Sequence, residues 1–354
     1  MECGFAIECG YDEFNLQLLK KAALQRIPIK GSLELTFRCN LRCQHCYVAN
    51  GGQGQAEMST PEIQDLLEQV VDAGCLWFLL TGGEPLLRQD FNQIYLFAIH
   101  KGLLVHLFTN GTLITPPLAD LLAEWRPFSV EISLYGYTQE TYERITGVPG
   151  SYARCRRGIE LLLERKIPLK LKTMLMTLNQ HELQQMQAFA RSLGVNFYYD
   201  TLIHMGLNGD RRPLEVRLPP ESIIHFDNED PARRAAWQEI LSKPFQPASA
   251  RLYTCDAGKN SFHIDPLGNL SLCMLDRRQS YDLRQGAFHD GWKNFLSSAC
   301  LQEYSANNAC GQCRLRTICT QCPGLAWIEN RDPEQRVELI CEIAHQRAAA
   351  YTEF

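Results

Sequence analysis

The amino-acid sequence predicts an α/β protein whose parallel sheet is closed or partly closed into a barrel, followed by a cysteine-rich C-terminal region. Between residues 32 and 203, short β-rich apolar segments alternate with amphipathic stretches that have helical spacing. Strands and helices that alternate with right-handed crossovers form parallel sheets. The chain also has fifteen cysteines, eight of them after residue 250. A cysteine content this high without a secretion signal indicates metal or redox chemistry.

The predicted elements follow in order along the chain. Thr60 and Pro61 supply an N-cap and a first-turn proline for the first helix after a strand. We expect four regions: an N-terminal segment (1–31), a partial (β/α)6 barrel (32–204), a proline-interrupted linker (205–250) and a cysteine-rich domain (251–354) with a hairpin around 265–269. The barrel has six predicted strands, at 32–37, 77–81, 104–109, 130–134, 169–175 and 196–201, and predicted helices at 60–73, 90–100, 117–125, 152–165 and 180–192.

Composition excludes several classes of protein. At 354 residues the chain is long enough for two domains, and 45% hydrophobic with 21% charged residues is typical of a globular protein. The net charge of -5 argues against nucleic-acid binding. No apolar run is long enough for a membrane span, and the acidic N-terminus lacks the basic start of a signal peptide. We therefore expect a cytoplasmic protein without a membrane or nucleic-acid partner.

The first cysteine group is Cys39, Cys43 and Cys46, spaced C-x3-C-x2-C in the loop after the first strand. Three thiolates suit an iron-sulfur cluster, and three ligands on a four-iron cluster leave one iron open for chemistry. A zinc site with His45 as the fourth ligand is the alternative on this motif alone.

This motif and the segments after it resemble the radical S-adenosylmethionine (radical SAM) superfamily. The resemblance implies that the triad holds a 4Fe-4S cluster that chelates S-adenosylmethionine. It implies that the sequence TGGEP, after the second strand, binds the methionine amino group through backbone carbonyls and the glutamate. Tyr135 departs from many relatives, which carry aspartate there, and could face the substrate. The implied cofactor-binding residues are Gly82, Gly83, Glu84, Pro85, Asn110, Ser133, Arg144 and Lys172.

Seven later cysteines resemble the SPASM extension of radical enzymes that modify peptides, with one residue fewer than usual before Cys322. The resemblance implies two auxiliary 4Fe-4S clusters, hence three clusters in all. Residues 256–262 lack the additional cysteine of fully ligated relatives. We therefore expect an open site on the first auxiliary cluster, unless Cys300 or an oxygen ligand fills it; zinc-ribbon sites are the alternative. The implied ligands are Cys255, Cys273 and Cys322 for the first auxiliary cluster, and Cys310, Cys313, Cys319 and Cys341 for the second.

The resemblance implies hydrogen abstraction by a 5'-deoxyadenosyl radical. The leading expectation is modification of a ribosomally made precursor peptide by oxidative cross-linking, bond cleavage or epimerisation. A separate leader-recognition protein and an electron donor such as flavodoxin or ferredoxin are the expected partners. Alternatives are a small-molecule oxidoreductase, acting on a sugar alcohol or a tetrapyrrole, and a non-catalytic iron-sulfur or zinc scaffold. Candidates for acid or base catalysis at strand ends are Tyr135, Asp200 and His204.

Overall fold

The computed structural model describes residues 11–48, 56–242 and 250–351. Its centre is one sheet of nine strands: β1 Lys30–Glu34, β2 Trp77–Thr81, β3 Leu104–Thr109, β4 Ser129–Ser133, β5 Leu169–Met174, β6 Asn196–Asp200, β7 Ser261–Ile264, β8 Asn269–Ser271 and β9 Tyr281–Asp282. The strand order is β6-β5-β4-β3-β2-β1-β7-β8-β9. Strands β1 to β6 pair in parallel with their sequence neighbours, so the predicted (β/α)6 arrangement is confirmed.

Helices connect the parallel strands and cover one face of the sheet. Some begin at a side-chain N-cap; Thr138, for example, accepts a hydrogen bond from the backbone of Thr141 at the start of a helix that sequence analysis did not predict. The helices are α1 Tyr11–Gln25, α2 Thr60–Asp72, α3 Phe91–His100, α4 Pro116–Glu124, α5 Gln139–Thr146, α6 Ser151–Glu164, α7 Leu183–Ser192, α8 Pro220–Glu229, α9 Pro231–Ser242, α10 Phe288–Asp290, α11 Ser297–Ala299, α12 Pro323–Asn330 and α13 Glu338–Tyr351.

The described part of the predicted proline-interrupted linker, residues 205–242, contains two helices. Pro220 and Pro231 are the first residues of α8 and α9. Proline is tolerated there because the first-turn N–H groups have no partner within the helix. These prolines therefore start helices instead of interrupting them, and that part of the linker prediction was wrong.

The cysteine-rich region is joined to the same sheet. Strand β7 pairs in parallel with β1, on the side opposite β2. Phe262, Phe288 and Trp292 are buried in the main hydrophobic core together with residues of β1 to β5. Part of the region therefore extends the core of the (β/α)6 part, while Leu325, Ala326, Val337 and Ile340 form a small cluster of their own. The division into separate domains stays a prediction.

Helix α13, which carries Cys341, is fixed to α8 and α9 by a buried ion cluster. The fully buried Asp227 accepts hydrogen bonds from Arg347 Nε, at 2.8 Å, and from Arg233 Nη2, at 2.7 Å. A buried carboxylate is costly unless its charge is paired. The pairing therefore determines where α13, and with it Cys341, lies against the sheet.

Candidate functional site

Side chains alternate between two faces along β3, β4 and β5. Val130, Ile132 and Leu171 are buried in the core against the helices. Glu131 and Lys172 therefore lie on the opposite, partly exposed face, together with Ser133. Site residues of parallel α/β proteins lie at the carboxyl ends of the strands. The predicted site residues follow the carboxyl ends of β1 to β4 in the same way.

The loop after β1 carries Cys39, Cys43 and Cys46. The end of α5 fixes its backbone, because Arg42 N–H donates to the Thr146 carbonyl at 2.8 Å and Gln44 N–H donates to the Ile145 carbonyl at 3.1 Å. The structure thus brings the three cysteines into one loop that packs against α5.

The three thiols are neighbours, and Cys39 is exposed while Cys43 and Cys46 are partly exposed. Burial raises the pKa of Cys39 to about 11, with a smaller contribution from Cys46. Burial also raises the pKa of Cys43 well above its usual value, and Cys46 and Cys39 add to the effect. The thiols are therefore protonated at neutral pH until a cation replaces their protons, which is how metal binding to cysteine is coupled to proton release.

The TGGEP segment packs backbone to backbone against the start of the cysteine loop. Gly83 N–H donates to the Thr36 carbonyl at 2.8 Å, and Glu84 N–H donates to the Arg38 carbonyl at 2.9 Å. A Cβ on Gly83 would lie 2.4 Å from the Arg38 carbonyl oxygen, and one on Gly82, whose φ is +141°, would lie 2.6 Å from the Thr36 oxygen. Both glycines are therefore required for this close approach.

The Glu84 carboxylate is fully buried and is occupied by donors of the protein itself. Oε1 accepts from Thr109 Oγ1 at 2.7 Å and from Leu86 N–H at 3.1 Å, while Oε2 accepts from Asn110 N–H at 2.8 Å. Burial raises its pKa to about 7, against the lowering effect of these hydrogen bonds. In the structure Glu84 thus ties β2 to the end of β3, while Pro85 begins the short 3-10 turn that follows.

Arg88, which sequence analysis missed, completes this corner of the site. Its guanidinium forms a two-point ion pair with Asp90, with distances of 2.9 and 2.6 Å. It also donates to the Leu35 and Met58 carbonyls at 3.0 and 2.9 Å. An arginine and an aspartate two residues apart, directly after TGGEP, were the signal that could have found it.

Asn110, Ser133 and Tyr135 lie beside the cysteine loop, as predicted from their strand positions. Asn110 Nδ2 donates to Asn40 Oδ1 at 2.8 Å and lies 3.9 Å from Cys39 Sγ. The Tyr135 ring meets the His45 ring edge to face, with centroids 4.5 Å apart. Burial raises the pKa of Tyr135 well above its usual value, Cys43 adds to this, and a hydrogen bond with Ser133 opposes it. Tyr135 therefore keeps its proton and can donate a hydrogen bond.

The Arg144 carbonyl accepts a hydrogen bond from Gln44 Nε2 of the cysteine loop at 2.9 Å. Arg144 is exposed and donates to the Leu178 carbonyl at 2.9 Å. Lys172 Nζ lies 3.4 Å from Glu131 Oε2, while Lys170 Nζ lies 3.6 Å from the other oxygen of the same carboxylate. Two lysines thus share one carboxylate on the open face of the sheet.

Lys172 is expected to be unusually reactive. Burial lowers its pKa to about 8, with the Glu131 carboxylate opposing this. The pKa of an ordinary lysine is about 10.4. At pH 8 Lys172 is therefore about half deprotonated, while ordinary lysines remain almost fully charged. Brief acetylation across pH 7 to 10, read by peptide mass spectrometry, should show half-maximal labelling of Lys172 near pH 8. Parallel labelling of Lys172 and the exposed Lys101 would contradict the prediction.

The remaining acid-base candidates differ in placement. Asp200 is exposed, and its carboxylate accepts from Leu202 N–H at 2.9 Å. The His204 ring lies 5.4 Å from that of Tyr47, the residue after Cys46. Its Nδ1 lies 2.9 Å from the Met205 carbonyl and so carries the proton. Burial lowers the pKa of His204. At neutral pH its Nε2 is therefore an available proton acceptor, and the structure brings His204, but not Asp200, towards the cysteine loop.

The later cysteines form two groups. Burial raises the pKa of Cys273 to about 12, with a smaller effect from Cys322. The pKa of Cys322 is likewise raised by burial and in smaller part by Cys255. Cys300 is fully buried elsewhere, with Sγ 3.7 Å from the Gly258 carbonyl and 3.5 Å from the Ser297 carbonyl.

The second group lines a single cavity. Cys310, Cys313, Cys319 and Cys341 all face it, together with Arg316, Gln321, Arg336 and His345.

Within residues 11–48, 56–242 and 250–351, no three His, Cys, Asp or Glu side chains are arranged to hold one metal ion. None of the helices among these residues combines the length and apolar character needed to cross a membrane.

The space between the first two cysteine groups is filled by a polar cluster that sequence analysis did not single out. Glu34, at the end of β1, accepts a hydrogen bond from Arg277 Nη2 at 2.6 Å. The Tyr47 hydroxyl lies 3.3 Å from the sulfur of Met274, next to Cys273. These contacts fix the cysteine-rich region against the loop that carries Cys39, Cys43 and Cys46.

A parallel (β/α)6 sheet with three cysteines at its carboxyl edge, extended by a region with two further cysteine groups, defines an α/β protein built for metal cofactors. A family model described as the radical SAM superfamily matches residues 33–191. An AdoMet-dependent heme synthase of Nitratidesulfovibrio vulgaris is 31% identical over 322 residues, covering 83% of this chain and 87% of that protein. The chain belongs to the radical SAM superfamily, in its SPASM-domain branch.

Two further comparisons extend over most of the chain. The mycofactocin maturase MftC of Mycobacterium ulcerans is 29% identical over 298 residues, covering 81% of this chain and 80% of that protein. The structure of anSMEcpe with bound AdoMet and the Cp18Cys peptide superposes with a TM-score of 0.67 at 15% identity, covering 92% of this chain and 96% of that chain. The likeness to that solved structure confirms the fold.

Proposed function

We propose that this chain is a radical SAM enzyme that modifies a ribosomally made peptide and holds three 4Fe-4S clusters. The observation that carries the proposal is the arrangement of three cysteine groups around one continuous sheet. A catalytic cluster then lies at the carboxyl edge of the sheet, and two auxiliary clusters lie in the region attached to β1. A non-catalytic scaffold would not require the close packing of Gly82 and Gly83 against the cysteine loop.

The residues around the first group fit the cluster and S-adenosylmethionine. Three neighbouring thiols supply the soft ligands that iron-sulfur clusters need. The backbone of TGGEP runs beside them, and only glycine allows this approach. When bound, the cluster and S-adenosylmethionine supply a 5'-deoxyadenosyl radical. Asn110 and Ser133 lie where they can position the cofactor, and Arg144 and Lys172 can pair with its carboxylate.

The other residues take roles that follow from their protonation. Tyr135 retains its hydroxyl proton and donates a hydrogen bond to substrate or cofactor. Neutral His204 accepts a proton at Nε2. The Glu84 carboxylate is occupied by internal donors, so we assign Glu84 the role of positioning the loop. The backbone carbonyls beside it then bind the methionine amino group of S-adenosylmethionine. Cys255, Cys273 and Cys322 leave a fourth position of the first auxiliary cluster open, since no further cysteine lies within residues 256–262.

Support for a peptide substrate comes from the solved anSMEcpe structure, which holds the Cp18Cys peptide. It also comes from the partly exposed polar face around Glu131, Lys170 and Lys172, which an extended chain can reach. We also propose a separate leader-recognition protein, a flavodoxin or ferredoxin as electron donor, and a cytoplasmic location.

The test is coexpression with a short precursor encoded beside this gene, followed by mass spectrometry of the peptide. Loss of two hydrogens would show oxidative cross-linking, and deuterium uptake from solvent without other mass change would show epimerisation. An enzyme that forms 5'-deoxyadenosine with dithionite but leaves every neighbouring peptide unchanged would contradict the peptide assignment.

A tetrapyrrole substrate is the second candidate, because the heme synthase of Nitratidesulfovibrio vulgaris is 31% identical over most of both chains. Incubation of the same reduced enzyme with tetrapyrrole carboxylates distinguishes the two. Product formation there, with the peptides unchanged, would favour this candidate.

A further inference from the structure

The cavity of the second cysteine group, which consists of Cys310, Cys313, Cys319 and Cys341, has a buried cation in its wall. Arg316 lines this cavity, and only 9% of the residue is exposed. A guanidinium stays charged at any physiological pH and is costly to bury without compensation. The partners of Arg316 therefore indicate what the cavity is built to hold.

Those partners are neutral oxygens. Nη1 donates to the Tyr304 hydroxyl at 2.6 Å, and Nη2 donates to the Arg251 and Leu252 carbonyls at 3.1 and 3.2 Å. Nε is buried and has no hydrogen-bond partner in the described chain. None of the ion pairs between described residues involves Arg316.

The first auxiliary group has the opposite electrostatic surroundings. Asp276 lies beside this group, because its N–H donates to the Cys273 carbonyl at 3.2 Å and it packs against Gly324, two residues after Cys322. The Asp276 carboxylate is itself paired with Arg278, at 2.8 Å. A negative charge added beside Cys273 and Cys322 therefore lies near a neutral ion pair, Asp276 with Arg278. A negative charge added beside Cys310 lies near Arg316, whose positive charge has no carboxylate partner among the described residues.

We propose that Arg316 is the counter-charge of the second auxiliary cluster and raises its reduction potential above that of the first. The proposal rests on the proposed function, which places a cluster there. One-electron reduction takes a 4Fe-4S centre from the 2+ to the 1+ state with no proton transferred, and a nearby buried cation favours the added electron. Charge and hydrogen bonds near the sulfurs set such potentials.

The test is a redox titration followed by EPR on the full chain with all clusters reconstituted and without substrate. Arg316→Gln is expected to weaken reduction of the second cluster about tenfold, which is a fall of about 59 mV for a one-electron couple. Arg316→Lys keeps the charge and should recover most of the shift. Arg314→Gln removes the same charge from an exposed residue of the same 3-10 turn and should leave the potential unchanged.

An unchanged potential in Arg316→Gln would overturn the proposal. If that variant loses about four irons, the doubly substituted Cys273→Ala/Cys322→Ala chain decides instead. This variant retains only the second auxiliary cluster of the two and so identifies its reduction potential. In the unmodified enzyme that potential must be the higher of the two auxiliary potentials, and the reverse order overturns the proposal. If Cys313→Ala leaves the iron content unchanged, no cluster is present in this cavity and the proposal about Arg316 is overturned. The proposed function is then tested separately, by 5'-deoxyadenosine formation and peptide modification.

Discussion

Replacing Cys43 with alanine is expected to abolish cleavage of S-adenosylmethionine and to remove about four irons per chain. Cys43 lies in the middle of the triad loop, where its carbonyl accepts a hydrogen bond from Cys46 N–H at 3.1 Å. Two thiols cannot hold a cluster that already has one iron without a protein ligand. Anaerobic reconstitution with iron and sulfide analysis, followed by chromatography of 5'-deoxyadenosine, measures both losses.

The matched control is Cys75→Ala. Cys75 is also buried, but its thiol contacts the Ile29 and Trp77 carbonyls at 3.8 and 3.6 Å, at the start of the first two strands. This variant should keep its full iron content and its activity. Full iron and normal 5'-deoxyadenosine formation in Cys43→Ala would show that the triad does not hold the catalytic cluster.

Gly83→Ala is expected to have the second largest effect, a loss of at least tenfold in affinity for S-adenosylmethionine. Its Cβ would lie 2.4 Å from the Arg38 carbonyl oxygen and 2.7 Å from that of Phe37, and backbone atoms cannot yield as a flexible side chain can. The segment must move away, which breaks the hydrogen bonds to Thr36 and Arg38. Two such bonds contribute about 2 kcal/mol to the free energy of unfolding. Calorimetric titration of the reconstituted enzyme and urea unfolding measure the two effects.

Gly194→Ala separates this loop effect from the general cost of replacing glycine. Gly194 has φ of +68°, and a Cβ there would meet no atom within 4 Å. Its substitution should cost about 1 kcal/mol in stability through the left-handed backbone alone, with cofactor affinity unchanged. Equal losses of affinity in the two variants would mean that the contact of TGGEP with the cysteine loop does not form the cofactor site.

The local periodicity of the sequence predicted most of the (β/α)6 part. The strands at 77–81 and 104–109 have the predicted bounds, because short apolar runs between helical patterns are local signals. Helix α5 was missed although Thr138 and Gly147 supply both of its caps, because a helix of this length leaves little periodicity to read. The helices that begin at Pro220 and Pro231 were missed because proline was taken as an interruption.

Sequence analysis likewise indicated one part of the candidate site and could not predict another. The spacing of Cys39, Cys43 and Cys46 and the order of TGGEP, Asn110 and Ser133 along the chain indicated the cofactor, because each lies at the end of a successive parallel strand. The burial of the Glu84 carboxylate among internal donors could not be predicted, since its partners Thr109 and Asn110 are distant in sequence.

The sequence by itself determined the chemistry available to this protein: three groups of soft thiol ligands, a glycine pair for close backbone approach and a parallel fold that gathers strand ends at one edge. Only the tertiary structure decided how these parts are joined. The pairing of β7 with β1, the ion pair between Glu34 and Arg277 and the place of Arg316 among four cysteines all join residues far apart in sequence. Such contacts depend on packing between elements, which no local pattern encodes.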